Sequence, residues 1–438
     1  MTPLPTTLPS LVTTIAAESG IQSLAKASIR EVVALVNKLE QASGVDFIRM
    51  EMGVPGLNAP TIGIEAEVDA LRAGVAAKYP MIEGIAPLKA EISRFCRQFL
   101  NVEVKAEGCF PTVGAAQGAM ATFLIANRLR PNGKTLFIDP GFPNQKRQLT
   151  LIGQQYGSFD VYAHRGEKLR TALESHLCSG EYTTLLYSNP NNPAWICFDE
   201  QELQIIADVA HRYDVIVIED LAYFGMDYRS DYSTPGEAPY QPTIAHYSDN
   251  YILLISSSKV FSYAGQRIGS LVISDALFHR HTPQLVPFTG QTTFGKAMIF
   301  GALHGLSSGV THSTQYGLAA MLKAANDGTL PFLAMTRVYE QRAHIMKNLF
   351  TQHGFELVYD QDNGAPLSDG FYFTIAHPQL SGDELMQALL SHGISALSLA
   401  NTGSEQIHGV RACVSQVTDA QLATLEQRLT ALAQSLAN

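Results

Sequence analysis

Ser256-Ser-Ser-Lys-Val-Phe-Ser-Tyr-Ala-Gly-Gln-Arg-Ile-Gly269 follows the apolar run Tyr251 to Ile255, which reads as a buried strand. The stretch holds a single lysine, Lys259, among hydroxyls, with Arg267 eight residues on. A lysine at the end of a core strand must be solvated, paired or covalently occupied. A solvated surface residue is the ordinary outcome. The strand before it and Ser256, Ser257 and Ser258 weigh against that outcome without removing it.

Working outward, apolar runs alternate with helical patterns from about residue 109. Strands are expected at Thr135–Ile138, Phe159–Tyr162, Thr184–Tyr187, Val215–Ile218, Tyr251–Ile255 and Leu271–Ile273. Helices are expected at Gly114–Leu129, Gln145–Gly153, Glu167–Leu177 and Asp199–Tyr213. In the last of these, Asp199 with Glu202 reads as a capping pair. Continuous apolar strands separated by helices predict an α/β fold with a mostly parallel sheet covered on both faces. Before it lie helical patterns at Ala25–Leu39, Ile64–Lys78 and Pro87–Leu100. After about residue 285 the pattern is mainly helical, with Gly328-Thr-Leu-Pro331 a plausible break. From about 353 strands and helices mix as in a smaller α+β domain.

Composition narrows the class. The chain has 438 residues, too many for one simple core, so a larger and a smaller domain are expected. Its net charge of −10 argues against nucleic acid as a partner. Five scattered cysteines without a C-x-x-C pair argue against disulfides or a metal site and for a reducing, cytoplasmic setting. No apolar segment is long enough to cross a bilayer, and Met1 to Gly20 lacks a signal-peptide pattern, so no membrane partner is expected.

Polar residues recur at the C-terminal ends of the expected strands, where parallel sheets place ligands. Pro111-Thr-Val-Gly-Ala-Ala-Gln-Gly118 opens a helix and could offer backbone N–H groups to an anion; a tight turn is its plain alternative. Ser188-Asn-Pro-Asn-Asn-Pro193 is a rigid loop able to aim an amide at a ligand, or simply a turn. Asp220 and Tyr223 stand just past an apolar strand, where a carboxylate needs a cation or donors, a helix cap being the alternative.

Order and spacing together decide. N-P-x-N-P ending at Pro193, then Asp220-Leu-Ala-Tyr223, then S-x-S-K at Ser256 to Lys259 with Arg267 eight residues on, then Arg411, resembles the fold-type I enzymes that depend on pyridoxal 5′-phosphate (PLP). The chain is most similar to the class I/II aminotransferases, from about Arg49 to the last helix, including a Tyr-x-x-Arg helix in Val338 to Gly354. The resemblance implies a seven-stranded, mostly parallel sheet in a large PLP-binding domain at 66–320. An N-terminal segment at 1–65 and a C-terminal part at 321–438 would belong to the small domain.

It also implies a site. Lys259 would carry PLP as a Schiff base. Asp220 would pair with the pyridine nitrogen, and Asn192 and Tyr223 would bond the ring oxygen. Gly114, Ala115 and Ala116 would hold the phosphate with Ser256, Ser258 and Arg267. Phe142 would stack on the ring. Tyr79 would reach the neighbouring subunit of a homodimer with shared sites. Arg411 would grip the substrate α-carboxylate, with Gly53 and Asn192 on the substrate side. The implied reaction moves an amino group from an L-amino acid to a 2-oxo acid, with Lys259, Asp220 and Tyr223 as the catalytic residues.

Departures limit the inference. Ser395-Ala-Leu-Ser-Leu-Ala-Asn-Thr-Gly403 replaces an aromatic-rich loop. Phe288 to Lys296 has no clean match for a second, dicarboxylate-binding arginine; Arg280 and Lys296 are the nearby cations, so aspartate or glutamate is not singled out. Ala194-Trp195 stands where many members have Thr-Gly, and Trp195 is expected to pack. The same motifs serve a β-lyase or another enzyme acting at Cα. A PLP-binding, ligand-sensing regulator is the further alternative, but the stretch before Phe47 is short and not basic enough for a DNA-binding domain.

Overall fold

The computed structural model describes residues 4–437. The outermost ends of the segments 1–65 and 321–438, including the start of Met1 to Gly20, lie outside the described residues. The chain divides into two compact units. The larger comprises Leu57–Asn191 and Cys197–Thr336; the smaller comprises residues to Gly56, Asn192–Ile196 and residues from Arg337. The sequence expectation drew its domain borders at 65/66 and 320/321. The structure groups 57–65 and 321–336 with the larger unit, where the helix His312–Asn326 packs against Thr61–Arg72 and Ala86–Leu100.

The first strand, β1 (Ile48–Arg49), belongs to the smaller unit. The next seven form the sheet of the larger one: β2 (Cys109–Thr112), β3 (Lys134–Asp139), β4 (Tyr156–Asp160), β5 (Tyr182–Ser188), β6 (Ile216–Leu221), β7 (Tyr251–Ser256) and β8 (Gly269–Ile273). Their order is β2-β8-β7-β6-β5-β3-β4. Only β8 runs against its neighbours, so the other six strands end on one side. The expected mostly parallel, seven-stranded sheet is present. Strand β2 escaped the sequence reading because Pro111 interrupts it. Proline is tolerated there because β2 is an edge strand.

Local signals account for several boundaries. Asp199 and Glu202 form the capping box of the helix Glu200–Arg212. Ser28 and Glu31 do the same for Ile29–Ser43, so that helix starts later than its apolar pattern suggested. The break at Gly328 to Pro331 separates His312–Asn326 from Phe332–Thr336 and Val338–Gln352. Phe95, Phe99, Phe224, Phe261 and Phe332 make one aromatic cluster. Phe224 follows the Asp220–Tyr223 segment and Phe261 follows Lys259, so this packing holds both turns.

In the smaller unit, β9 (Glu356–Leu357) precedes a hairpin of β10 (Gln361–Asp362) and β11 (Ala365–Pro366). After β12 (Tyr372–Ala376) come β13 (Ile394–Ser395), β14 (Leu397–Ser398) and β15 (Val410–Cys413). The order β14-β15-β12-β9 makes an antiparallel sheet, and β13 pairs in parallel with β1. Trp195 packs as expected, 1% exposed. Its indole N–H donates to Ser368 Oγ at 3.1 Å, and its ring lies edge-on to Tyr372. It does so at φ +65°, a left-handed conformation that is costly for a bulky residue. Gly370 makes the room, since a Cβ there would lie 2.1 Å from the indole.

Gly370→Ala should therefore destabilise the protein by about 1–3 kcal/mol. The measurement is the urea midpoint followed by Trp195 emission. An unchanged midpoint would mean that the indole has space to move aside.

Candidate functional site

In the larger unit, the ends of β2, β5, β6 and β7 deliver the predicted residues to one edge of the sheet. Registry places Ser188 beside Asp220, and Ser256 and Thr112 on either side of Gly269. Asp220 is 6% exposed. Its oxygens accept from Gln145 Nε2 at 2.8 Å and from the Ala222 N–H at 3.1 Å. No cation among the described residues pairs with it. Burial pushes its carboxyl up to about 6, against the lowering effect of those two bonds. Glu219, its neighbour on the strand, points to the other face of the sheet. Burial pushes that group up to about 7, but Thr243 Oγ1, the Ile244 N–H, Tyr187 Oη and Asn189 Nδ2 all donate to it. Glu219 thus has four hydrogen-bond donors among the described residues, whereas Asp220 has two.

Lys259 sits half-buried in the four-residue helix Ser257–Val260 at the end of β7. Ser256 caps it, accepting from the Ser258 N–H at 3.2 Å; Ser258 is buried. Tyr223 is also buried. The helix Gly114–Ala126 begins at Gly114 with φ +66°. A Cβ on Gly114 would stand 2.7 Å from Arg267 Nη2. The lack of a side chain at Gly114 thus lets the Arg267 guanidinium lie close against the helix N-terminus, with the first-turn N–H groups of Ala115 and Ala116 beside it. Arg267 holds φ +51° and bonds the Ala264 carbonyl at 2.8 Å. Phe142 is half-buried just before the helix Pro143–Leu151. Tyr79 is 95% exposed.

Arg411, Asn192 and Gly53 belong to the smaller unit. Arg411 is on β15 and 2% exposed. Its Nη1 donates to Asn192 Oδ1 at 3.1 Å and its Nη2 to the Glu51 carbonyl at 2.6 Å, while Nε has no partner. No carboxylate among the described residues pairs with it. Tyr372 lies under the guanidinium, 4.3 Å from ring centroid to Cζ. Three contributors escaped the sequence reading. Gln145 and Tyr372 carried no motif, and Glu51 acts through its backbone.

The residues fit a group that combines an anion with a protonated ring nitrogen. The helix N-terminus at Gly114 with the Arg267 guanidinium suits the anion, and Asp220 suits the ring nitrogen. Arg411 separately suits a carboxylate.

The seven-stranded sheet with its smaller antiparallel unit is the architecture of PLP-dependent fold type I. The chain belongs to the class I and II aminotransferases, whose family model matches residues 46–429. Among similar proteins, a probable aspartate aminotransferase of Methanocaldococcus jannaschii is 24% identical over 259 residues, 59% of this chain and 64% of that protein. The S-alkyl-thiohydroximate lyase SUR1 of Arabidopsis thaliana is 26% identical over 216 residues, 48% of this chain and 45% of that protein. The match thus spans less than two thirds of either relative. An aspartate aminotransferase mutant of Thermus thermophilus shares the fold with a TM-score of 0.75 at 19% identity, covering 93% of this chain and 97% of that one.

In the cofactor-free protein, Asp220 binds a proton more tightly folded than unfolded. Its burial therefore costs stability as pH rises from about 4 through about 6. Asp220→Asn should raise the melting temperature at pH 7.5 by a few degrees, and the gain should shrink towards pH 4. Equal shifts in melts at both pH values would remove burial of the charge as the cause.

Proposed function

We propose that the protein is a PLP-dependent aminotransferase that moves an amino group from an L-amino acid to a 2-oxo acid. Family membership supports the reaction class. The observation that carries the cofactor assignment is Asp220, a buried carboxylate with no cation at the end of a core strand.

When bound, PLP supplies an electron sink for the charge left at Cα once a proton departs. Asp220 would hold a proton on the ring nitrogen, and Gln145 would keep that carboxylate oriented. Gly114, Ala115, Ala116, Ser256, Ser258 and Arg267 would bind the phosphate, and Phe142 would cover one face of the ring. Asn192 and Tyr223 would donate to the ring oxygen. Lys259 Nζ would anchor the cofactor covalently, then take the proton from substrate Cα and return it. Arg411 would bind the α-carboxylate, with Gly53 and Asn192 lining the substrate side. A homodimer is proposed from Tyr79, whose exposure suits a residue that completes a partner's site. A cytoplasmic location is proposed from the five scattered cysteines, which form no C-x-x-C pair.

The relative named as a lyase favours a second reading, a β-lyase or another enzyme of the same fold acting at Cα. A single-turnover experiment separates the two. The holoenzyme is mixed with each common amino acid without a 2-oxo acid. Conversion of the cofactor to its amine form supports transfer. Release of pyruvate and ammonia with the original spectrum restored supports a lyase.

Lys259→Ala should abolish the visible absorbance of covalently bound cofactor and reduce turnover by at least about a thousand-fold. A variant that keeps both would remove Lys259 from its role. Asp220→Ala should fold and bind PLP weakly, with most of the proton-transfer rate lost; an unchanged single-turnover rate would remove Asp220 from the ring nitrogen.

A further inference from the structure

Arg411 is a buried cation that no carboxylate among the described residues neutralises, so its position depends on weaker contacts. Three are present, all within the smaller unit. Asn192 Oδ1 accepts from Nη1 at 3.1 Å, the Glu51 carbonyl accepts from Nη2 at 2.6 Å, and the Tyr372 ring lies 4.3 Å from Cζ. A guanidinium has five N–H groups, and these bonds engage one hydrogen on each terminal nitrogen. One hydrogen on each therefore stays available to a carboxylate, provided that the plane does not rotate. The N–H groups that make the two bonds lie in that plane, whereas the guanidinium carbon sits over the Tyr372 ring, whose bulk restrains movement towards it.

Tyr372 is itself confined. Its hydroxyl would stand 1.9 Å from a Cβ on Gly53, so only glycine there lets the ring reach its place. Behind it, Trp195 meets the ring edge-on at 6.1 Å between centroids. Trp195 takes a left-handed backbone conformation at φ +65° and lies against Gly370. Two glycines and an indole in a costly conformation thus surround one tyrosine, and that tyrosine bears on the buried guanidinium.

We propose that Tyr372 is a positioning residue for Arg411, with Trp195 as its backing, so that the arginine is aligned for a carboxylate before one arrives. The proposal rests on the reading of Arg411 as the carboxylate-binding residue. It makes affinity for the carboxylate depend on the face of an aromatic ring that lends no hydrogen bond to the ligand.

The test is calorimetric titration of the holoenzyme with propionate, a carboxylate that has no amine to react with the cofactor. Tyr372→Leu should weaken propionate binding about ten-fold, whereas Tyr372→Phe should stay within about three-fold of the parent. Replacing Tyr372 with 3,4,5-trifluorophenylalanine keeps the shape but drains the ring face of charge, and should fall between those two. This replacement decides the matter if the leucine variant does not fold. Arg411→Gln should weaken propionate at least about ten-fold. If Arg411→Gln weakens binding but the fluorinated ring binds as tightly as phenylalanine, the positioning role is overturned and the Arg411 reading stands. If Arg411→Gln binds as tightly as the parent, the reading of Arg411 and the proposal fall together.

Discussion

A charge withdrawn from water without a counter-charge is the constraint on which this structure turns. Asp220 in the larger unit and Arg411 in the smaller are two such charges. Among the described residues each is hydrogen-bonded only by neutral groups: an amide and a backbone N–H for the acid, an amide oxygen and a carbonyl for the guanidinium. Neutral partners orient an ion but do not neutralise it. Glu219 is a second buried acid on the same strand, also bonded by neutral groups. Four donors surround it, and it ties β6 to Tyr187, Asn189 and the Thr243–Ile244 turn. Asp220, beside it on the same strand, has two donors instead.

The remainder of the larger unit serves to hold that edge of the sheet. Parallel strands bring Thr112, Ser188, Asp220 and Ser256 to one side. The apolar core beneath them is continuous from Phe110 through Ile252 and Leu254 to Leu271. Close approach is obtained with small residues. Gly118 brings the helix Gly114–Ala126 onto Leu254, and Gly114 lets the Arg267 guanidinium approach the helix start. The Asn-Pro loop is tied down as well: the Asn189 N–H bonds the Asp220 carbonyl and Asn191 Nδ2 bonds the Pro140 carbonyl.

Much of this was legible in the chain. Apolar runs such as Val215–Ile218 could only be buried strands, and capping pairs such as Asp199 with Glu202 marked helix starts. Legibility failed where a residue's role depends on distant neighbours. Pro111 hid an edge strand, because proline alone does not say which side of a strand lacks a partner. Residues 321–336 read as part of the C-terminal domain, because a helix's own pattern does not say which of two cores it joins. Gln145 and Tyr372 were passed over because an amide or an aromatic at such positions is ordinary until its contact is known.

The sequence by itself determined the class of chemistry, because spacing along the chain is set by strand and loop lengths that the residues themselves specify. Lys259, Asp220 and Arg267 are recognisable at their intervals without coordinates. Only the tertiary structure decided which charges lack partners and what holds them. Desolvation and hydrogen bonding are properties of the packed neighbourhood, and the neighbours of Asp220 and Arg411 come from segments far apart in the chain: Gln145 for one; Glu51, Asn192 and Tyr372 for the other.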